Sequence, residues 1–182
     1  IGERSRVEEV VRAAKDAGVP IRIGVNGGSV NRKKYPEVTP EALVESALEH
    51  IVILEDLDFT DTVVSIKSSD IAQTVAANRL FADKRDYPLH VGLTEAGYGT
   101  KCIIQSSVAI GALLLDGIGD TIRVSMTGDP VREIEIGREI LRATGLLSEG
   151  VRIISCPTCG RTDPSIDLEA IAENVDRALS LQ

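Results

Sequence analysis

A chain of 182 residues, 43% of them hydrophobic, can bury a sizeable core, which indicates one globular domain or a large part of one. Its net charge of −8 and 3% aromatic content argue against a nucleic-acid binder or a binder of anionic membranes, because such proteins need basic and stacking side chains. Without a long apolar run or a signal peptide, it is predicted to be cytoplasmic. Because it begins at Ile1 rather than at methionine, we expect a piece of a longer protein.

Strand-like apolar runs alternate with amphipathic helix-like segments along the chain, which is typical of βαβ units around a parallel sheet. The predicted strands are residues 20–26, 62–67, 89–94, 121–126 and 151–155. The predicted helices are residues 7–17, 40–54, 70–82, 106–115, 130–143 and 166–179. Capping residues followed by proline at 39–40, 129–130 and 163–164 are expected to begin helices, and Gly18 and Gly145 to end them.

Two α/β architectures fit this order of elements. One is an open doubly wound sheet, and the other is part of an eight-stranded barrel, which usually needs about 250 residues. Hydrophobic periodicity does not separate them. Polar residues inside the strands favour the barrel, because strands of an open sheet covered on both faces are nearly continuously hydrophobic.

Basic and polar side chains stand within or directly after these strands. They are Arg22 and Asn26 in the first strand, Ser65 and Lys67 in the second, Glu95 after the third, and Arg123 and Ser125 in the fourth. Because alternate residues share a face, the pattern predicts a buried arginine and a lysine at a phosphate site, with Asn26 and Ser125 as neutral donors. The alternative is ion pairing of Arg22 or Lys67 with Glu95 or Asp70, since buried charges are usually paired.

The sequence Cys156-Pro157-Thr158-Cys159 directly follows the last predicted strand. Two thiolates at this spacing can bind zinc or an iron–sulfur cluster, or form a redox disulfide. The third cysteine, Cys102, is expected to be a buried small hydrophobic residue. The two histidines, His50 and His90, are expected to be surface or satisfied core groups rather than ligands.

In combination and in order, five segments resemble the (E)-4-hydroxy-3-methylbut-2-enyl diphosphate synthase family, iron–sulfur enzymes of the methylerythritol phosphate route to isoprenoids. The segments are PIRIGVNGGS at residues 20–29, SIKSSD at 65–70, HVGLTEAG at 90–97, GIGDTIRVS at 117–125 and CPTC at 156–159. The resemblance covers essentially all 182 residues.

The resemblance implies a TIM (β/α)8 barrel that runs into an iron–sulfur domain. Residues 1–155 would be a partial barrel domain, and residues 156–182 would begin the [4Fe-4S] domain. The implied reaction of this iron–sulfur oxidoreductase is the reductive opening of 2-C-methyl-D-erythritol 2,4-cyclodiphosphate to the hydroxymethylbutenyl diphosphate. Flavodoxin or ferredoxin would supply the electrons, and a homodimer is expected.

The resemblance also implies roles for individual residues. Arg22, Asn26, Lys67 and Ser125 would hold the diphosphate, Glu95 would lie beside the reacting carbons, and Cys156 and Cys159 would be two of three cysteine ligands of the cluster. A third cysteine and a glutamate ligand would lie beyond Gln182, and further arginines before Ile1. Gln105 stands where a lysine is expected, and Cys102 matches no cluster ligand. We therefore expect this chain to be inactive by itself.

Two other interpretations remain open from the residues. In the first, Cys156 and Cys159 hold zinc between two chains, as a metal- or thiol-linked assembly module without catalysis. In the second, the chain is another phosphate-binding barrel enzyme whose thiol pair is only redox-active.

Overall fold

The computed structural model describes residues 4–149, 151, 153–155, 163 and 165–179. The chain divides into two compact units, Ile1–Leu147 and Ser148–Gln182. The elements of the first unit are α1 (Arg4–Ala17), β1 (Ile21–Asn26), α2 (Pro40–Asp56), β2 (Thr62–Lys67), α3 (Ile71–Ala82), β3 (His90–Val91), α4 (Gly99–Leu115), β4 (Thr121–Ile122) and α5 (Pro130–Ala143). The second unit contains α6 (Leu168–Leu179). No helix in the described ranges has the length and apolar content to cross a membrane.

The strands of the first unit pair in parallel and in chain order. β1 pairs with β2 over its full length, from Ile21 opposite Thr62 to Asn26 opposite Lys67. A single bridge, Val64 to Leu89, joins the β2 side to the β3 side, and β3 pairs with β4. The order β1-β2-β3-β4 does not double back, which favours the barrel over the doubly wound sheet.

Helices α2, α3 and α4 bury one face of this sheet. Alternate strand residues on that face, among them Ile23, Val64 and Val91, are buried in the hydrophobic core. Phe81 of α3 and Ile110 of α4 are completely buried in the same core. The opposite face of the sheet is therefore the one on which a polar site can form.

Side-chain caps fix several helix starts, as predicted. Thr39 accepts a hydrogen bond from the N–H of Ala42 at 3.2 Å, and Asp129 accepts one from Val131 at 2.9 Å. Asp70 caps α3 in the same way. The predicted helix start at residues 163–164 is wrong, because the carboxylate of Asp163 bonds the N–H of Ser165 and α6 begins at Leu168.

Three predicted boundaries also differ from the structure. Helix α4 begins at Gly99 rather than at residue 106, and β3 and β4 contain 2 residues each instead of the longer runs predicted. Residues 151 and 153–155 are not in a strand, and Val151 and Ile154 are exposed; residue 152 lies outside the described residues. Apolar character alone therefore does not suffice to predict a strand in this segment.

Gly92 brings the backbones after β3 and β4 close together. A Cβ atom at this position would overlap the carbonyl oxygen of Arg123. The N–H of Arg123 in turn donates to the carbonyl oxygen of Val91 at 2.9 Å. Gly92 thereby sets the position of the arginine backbone relative to β3.

Candidate functional site

The sheet face opposite the helices holds the predicted phosphate-site residues of β1 and β2. In β1, Ile23 and Val25 are buried, whereas Arg22 and Asn26 are exposed on the other face. The register places Lys67 directly opposite Asn26. The expectation of a buried arginine is wrong, because Arg22 lies on the face away from the hydrophobic core.

Arg22, Lys67 and Arg123, here called the cation group, influence one another on this face. The pKa of Lys67 is lowered to about 8 by burial, then by the charge of Arg123 and then by that of Arg22. Within the described ranges, none of the three forms an ion pair with a carboxylate. The cation group is therefore positively charged without internal compensation.

The ion pairs considered as the alternative explanation do not form. The carboxylate of Asp70 accepts a hydrogen bond from the N–H of Gln73 at 2.7 Å and so caps α3. Glu95 is exposed and makes no ion pair with a described residue. Arg22 and Lys67 are thus available to a ligand.

Asn26 is fixed by the turn that follows β1. Its Oδ1 accepts hydrogen bonds from the N–H groups of Gly28 and Ser29, both at 3.0 Å. Its own N–H donates to the hydroxyl of Ser29 at 2.9 Å. Because the oxygen is used inside the turn, the amide nitrogen is the part of this side chain that can donate to an anion.

A cleft of about 510 Å³ lies at the carboxyl ends of the first three strands. Its lining residues are Asn26, Gly27, Gly28, Arg32, Val38, Ser68, Ser69, Gln73, Thr94 and Glu95. Glu95 has a φ of 56°, which is uncommon for a residue with a side chain and typical of functional positions. Arg32 also lies here, and its guanidinium donates to the carbonyl oxygen of Gly27 at 3.3 Å.

Four side chains, here called the α3 network, hold the carboxyl end of β2 against α3: Ser68, Gln73, Thr74 and Asn78. The Ser68 hydroxyl donates to Oε1 of Gln73 at 2.6 Å, and the Ser68 N–H donates to the Thr74 hydroxyl at 3.0 Å. The amide of Asn78 donates to the carbonyl oxygens of Ile66 at 2.9 Å and of Thr74 at 2.8 Å. These bonds fix the backbone on both sides of Lys67.

Ser125 follows β4 and is half-buried. Its carbonyl oxygen lies 3.5 Å from Sγ of Cys102, which is completely buried and also lies 3.8 Å from the hydroxyl of Ser106. The prediction of Cys102 as a buried small residue is confirmed. Among the described residues, Cys102 is not part of any group of ligating side chains that could hold a metal ion.

The two histidines differ in their surroundings. His50 lies on α2 with Nδ1 2.6 Å from the carbonyl oxygen of Ser46, so it is a satisfied helix residue as predicted. His90 lies on β3, half-buried, with Nδ1 2.7 Å from the hydroxyl of Thr121. Its pKa is lowered to about 4 by burial and by Lys67, Arg22 and Arg123.

Arg123, Arg32 and His90 are not among the residues to which the sequence alone assigned a ligand role. Strand alternation already placed Arg123 on the face of Ser125, and the same rule applied to the third predicted strand could have marked His90. Arg32 lies in a loop without periodicity, so no such signal was available for it.

The predicted metal ligands Cys156 and Cys159 lie outside the described residues. Elsewhere in the described part of the chain, no three His, Cys, Asp or Glu side chains converge in a way that could hold a metal ion. The soft ligands that this sequence offers to a metal are therefore the two thiolates of its CPTC segment, which suit zinc and iron–sulfur clusters.

Comparison with known proteins decides the family. The model of the GcpE TIM-barrel domain matches residues 1–138. The chain belongs to this family. It is 55% identical to the 4-hydroxy-3-methylbut-2-en-1-yl diphosphate synthase (flavodoxin) of Clostridium perfringens over 99% of its own length and 52% of the relative. It is 56% identical to the Symbiobacterium thermophilum protein of the same name, over 98% of this chain and 49% of the relative.

The chain spans about half the length of the curated relatives that it matches. Membership of the GcpE TIM-barrel family confirms the resemblance read from the five segments, and it agrees with parallel strands in sequential order. Functional groups of TIM barrels lie at the carboxyl ends of the strands. Asn26, Lys67 and Glu95 lie at or just after such ends.

Proposed function

We propose that this chain provides the diphosphate-binding part of a 4-hydroxy-3-methylbut-2-en-1-yl diphosphate synthase. The substrate of the whole enzyme would be 2-C-methyl-D-erythritol 2,4-cyclodiphosphate. The observation behind the proposal is that Arg22, Lys67 and Arg123 share one sheet face without a carboxylate partner in the described ranges. Uncompensated cations are costly in a fold, and a bound anion would remove that cost.

The cation group would hold the diphosphate by charge-assisted hydrogen bonds. The amide nitrogen of Asn26 and the hydroxyl of Ser125 would add neutral donors. Lys67 is still mostly protonated at neutral pH, because its pKa is about 8. A diphosphate beside it would raise this pKa again, so the lysine would bind as a full cation.

Glu95 would act on the carbon part of the substrate rather than on the diphosphate. Its carboxylate lines the same cleft as Asn26 but forms no ion pair with a described residue. A carboxylate in this place can accept or return a proton as a substrate oxygen leaves. The left-handed backbone of Glu95 is consistent with a side chain positioned for function.

Cys156 and Cys159 would be two ligands of a [4Fe-4S] cluster, and residues 156–182 would begin the cluster domain after a partial barrel of residues 1–155. When bound, the cluster would supply the electrons for the reductive ring opening. The other ligands would come from outside this sequence. Flavodoxin is the proposed electron donor, because the relatives carry that word in their names, with ferredoxin as the alternative. A homodimer in the cytoplasm remains part of the proposal.

Binding of inorganic pyrophosphate to the 182-residue chain tests the anion site. Lys67→Ala should weaken the affinity by about 1.5 to 3 kcal/mol, roughly 10- to 150-fold, because it removes a charge-assisted bond. Lys84→Ala is the matched control, since Lys84 is exposed and paired with Glu45 at 3.5 Å. Isothermal titration calorimetry measures both affinities. Equal affinity of Lys67→Ala and wild type would contradict the assignment.

The cluster is tested separately on a longer protein that includes the missing ligands. Protein purified without oxygen should be brown and contain iron and labile sulfide, since two thiolates and further ligands then meet. Chemical analysis of iron, sulfide and zinc is the measurement. A colourless protein that contains only zinc would favour the assembly module, and Cys156→Ala is the control that should lower the metal content in either case.

A further inference from the structure

His90 stands on the same face of the sheet as the cation group. Its neighbours in the chain, Leu89 and Val91, are buried in the hydrophobic core, so His90 lies on the opposite face. The bridge from Val64 to Leu89 places His90 opposite Ser65 of β2, two residue pairs before Lys67. The imidazole therefore lies on the face of the cation group, nearer than Lys67 to the amino-terminal ends of the strands.

His90 and Arg22 also line a common cavity of about 320 Å³. The other lining residues are Pro20, Ile21, Val63 and Thr121. At Gly24 of the adjacent β1, no atom lies within 4 Å of the place a Cβ would take, so space remains open on this face. A ligand held by Arg22 can thus approach the imidazole.

One ring nitrogen of His90 has a partner and the other has none in the described ranges. Nδ1 lies 2.7 Å from the hydroxyl of Thr121, whereas Nε2 makes no hydrogen bond to a described residue. The carboxylate of Asp120 accepts from the N–H of Leu89 at 2.7 Å and forms no ion pair with the His90 ring. The ring can therefore gain a proton, and Nε2 can donate a hydrogen bond to an anion.

The charged groups that act on His90 come from three different strands or strand ends. They are Lys67 of β2, Arg22 of β1 and Arg123 directly after β4, and all of them are cations. Together with burial they lower the pKa of His90 to about 4, so the ring is neutral in the free protein at pH 7. A dianion between these cations would reverse the sign of the local field.

We propose that His90 is a further ligand of the bound anion, and that its ring takes up a proton from solvent when a diphosphate binds to the cation group. The imidazolium then donates one hydrogen bond to the anion, and its Nδ1–H donates the other to the Thr121 hydroxyl. This inference rests on the proposed diphosphate site. It adds a proton to the bound state beyond the fraction that Lys67 takes up when its pKa rises from about 8.

Nuclear magnetic resonance of the two histidines in the 182-residue chain tests the inference directly. The imidazole C–H signals are followed against pH with and without inorganic pyrophosphate, and His50→Gln identifies the His90 signals. The titration midpoint of His90 should rise by roughly two pH units on saturation, so that the bound ring is protonated in mildly acidic solution. That of His50, on α2, should stay constant, because it does not belong to the cation group.

The outcomes separate this inference from the proposed site. Binding of pyrophosphate in calorimetry without a shift of the His90 midpoint would overturn the role of His90 and leave the cation group in place. Absence of pyrophosphate binding would overturn both. The ring signal reports its own protonation, so the titration of pyrophosphate itself does not disturb the result.

A variant gives a second, independent readout. His90→Gln should weaken pyrophosphate binding roughly three-fold more at pH 5.5 than at pH 8, because the proton linkage contributes only where the bound ring is protonated. His50→Gln is the matched control and should show the same small effect at both pH values. An equal effect of His90→Gln at both pH values would contradict proton uptake. If His90→Gln does not fold, the wild-type titration still decides.

Discussion

The α3 network and the cation group lie on either side of the end of β2. The polar side chains of the first are hydrogen-bonded within the protein, whereas the charges of the second are not paired with a described carboxylate. In the α3 network, hydroxyl and amide groups bond one another and the backbone, with distances such as 2.6 Å between Ser68 and Gln73. In the cation group, no member pairs with a carboxylate of the described chain. The first arrangement stabilises the fold, whereas the second leaves charge for a partner from outside.

The comparison indicates how structural polar residues differ from binding residues. Most buried polar atoms of the α3 network are satisfied inside the fold, because an unsatisfied group costs free energy, although Oδ1 of Asn78 has no hydrogen-bond partner among the described residues. Lys67 departs from that rule, since burial and two arginines lower its pKa to about 8. A residue that lowers the stability of its own fold in this way is best explained by a role in ligand binding.

The largest expected effect is on stability, at Asn78 of the α3 network. Asn78→Ala should lower the free energy of unfolding by about 2 to 4 kcal/mol, because it leaves a cavity and removes both donors to the Ile66 and Thr74 carbonyls. Urea unfolding measures it. Arg79→Ala on the same helix, which removes an exposed ion pair with Asp116, should cost less than about 1 kcal/mol. Equal costs would show that the α3 network is not structural.

A smaller effect of opposite sign is expected at Lys67. Lys67→Met should raise the free energy of unfolding by about 1 kcal/mol at pH 7, less than the full pKa shift implies because the ammonium remains partly screened by water. The folded pKa of about 8 lies below the unfolded value of 10.5, so wild-type stability should increase as pH rises from 8 to 10.5.

Unfolding experiments at pH 7 and pH 10 provide the measurement for Lys67→Met. The variant should lose the increase in stability that the wild type shows between these values. Lys84→Met is the control and should keep the increase in stability between pH 7 and pH 10, because the exposed Lys84 is not part of the cation group. A variant that is less stable than wild type at pH 7 would mean that Lys67 has a compensating partner.

Much of the fold could be predicted from the sequence, because the patterns that indicate strands and helix caps involve residues close together in the chain. The range predicted for β2 agrees with Thr62–Lys67, and Thr39 and Asp129 act as the predicted caps. Alternation along β1 also placed Arg22 and Asn26 on one face. These features depend on residues close together in the chain.

Other features depend on contacts that the sequence does not show. The short β3 and β4 follow from the close approach at Gly92, which involves a backbone atom of Arg123. The lowered pKa of His90 comes from burial and then from three cations on distant segments. The roles of Glu95, Ser125 and the two CPTC cysteines remain predictions, and the cysteines lie outside the described residues.

The uncompensated charge of the cation group also links the lifetime of the protein to its ligand. An anion that binds the folded chain alone stabilises it, by about 2.7 kcal/mol when the free ligand exceeds its dissociation constant one hundred-fold. Proteases degrade proteins through their unfolded population, so a cell poor in an anion that binds this group would remove the chain faster than a cell rich in it. The abundance of the protein would then follow the supply of that anion without any change in gene expression.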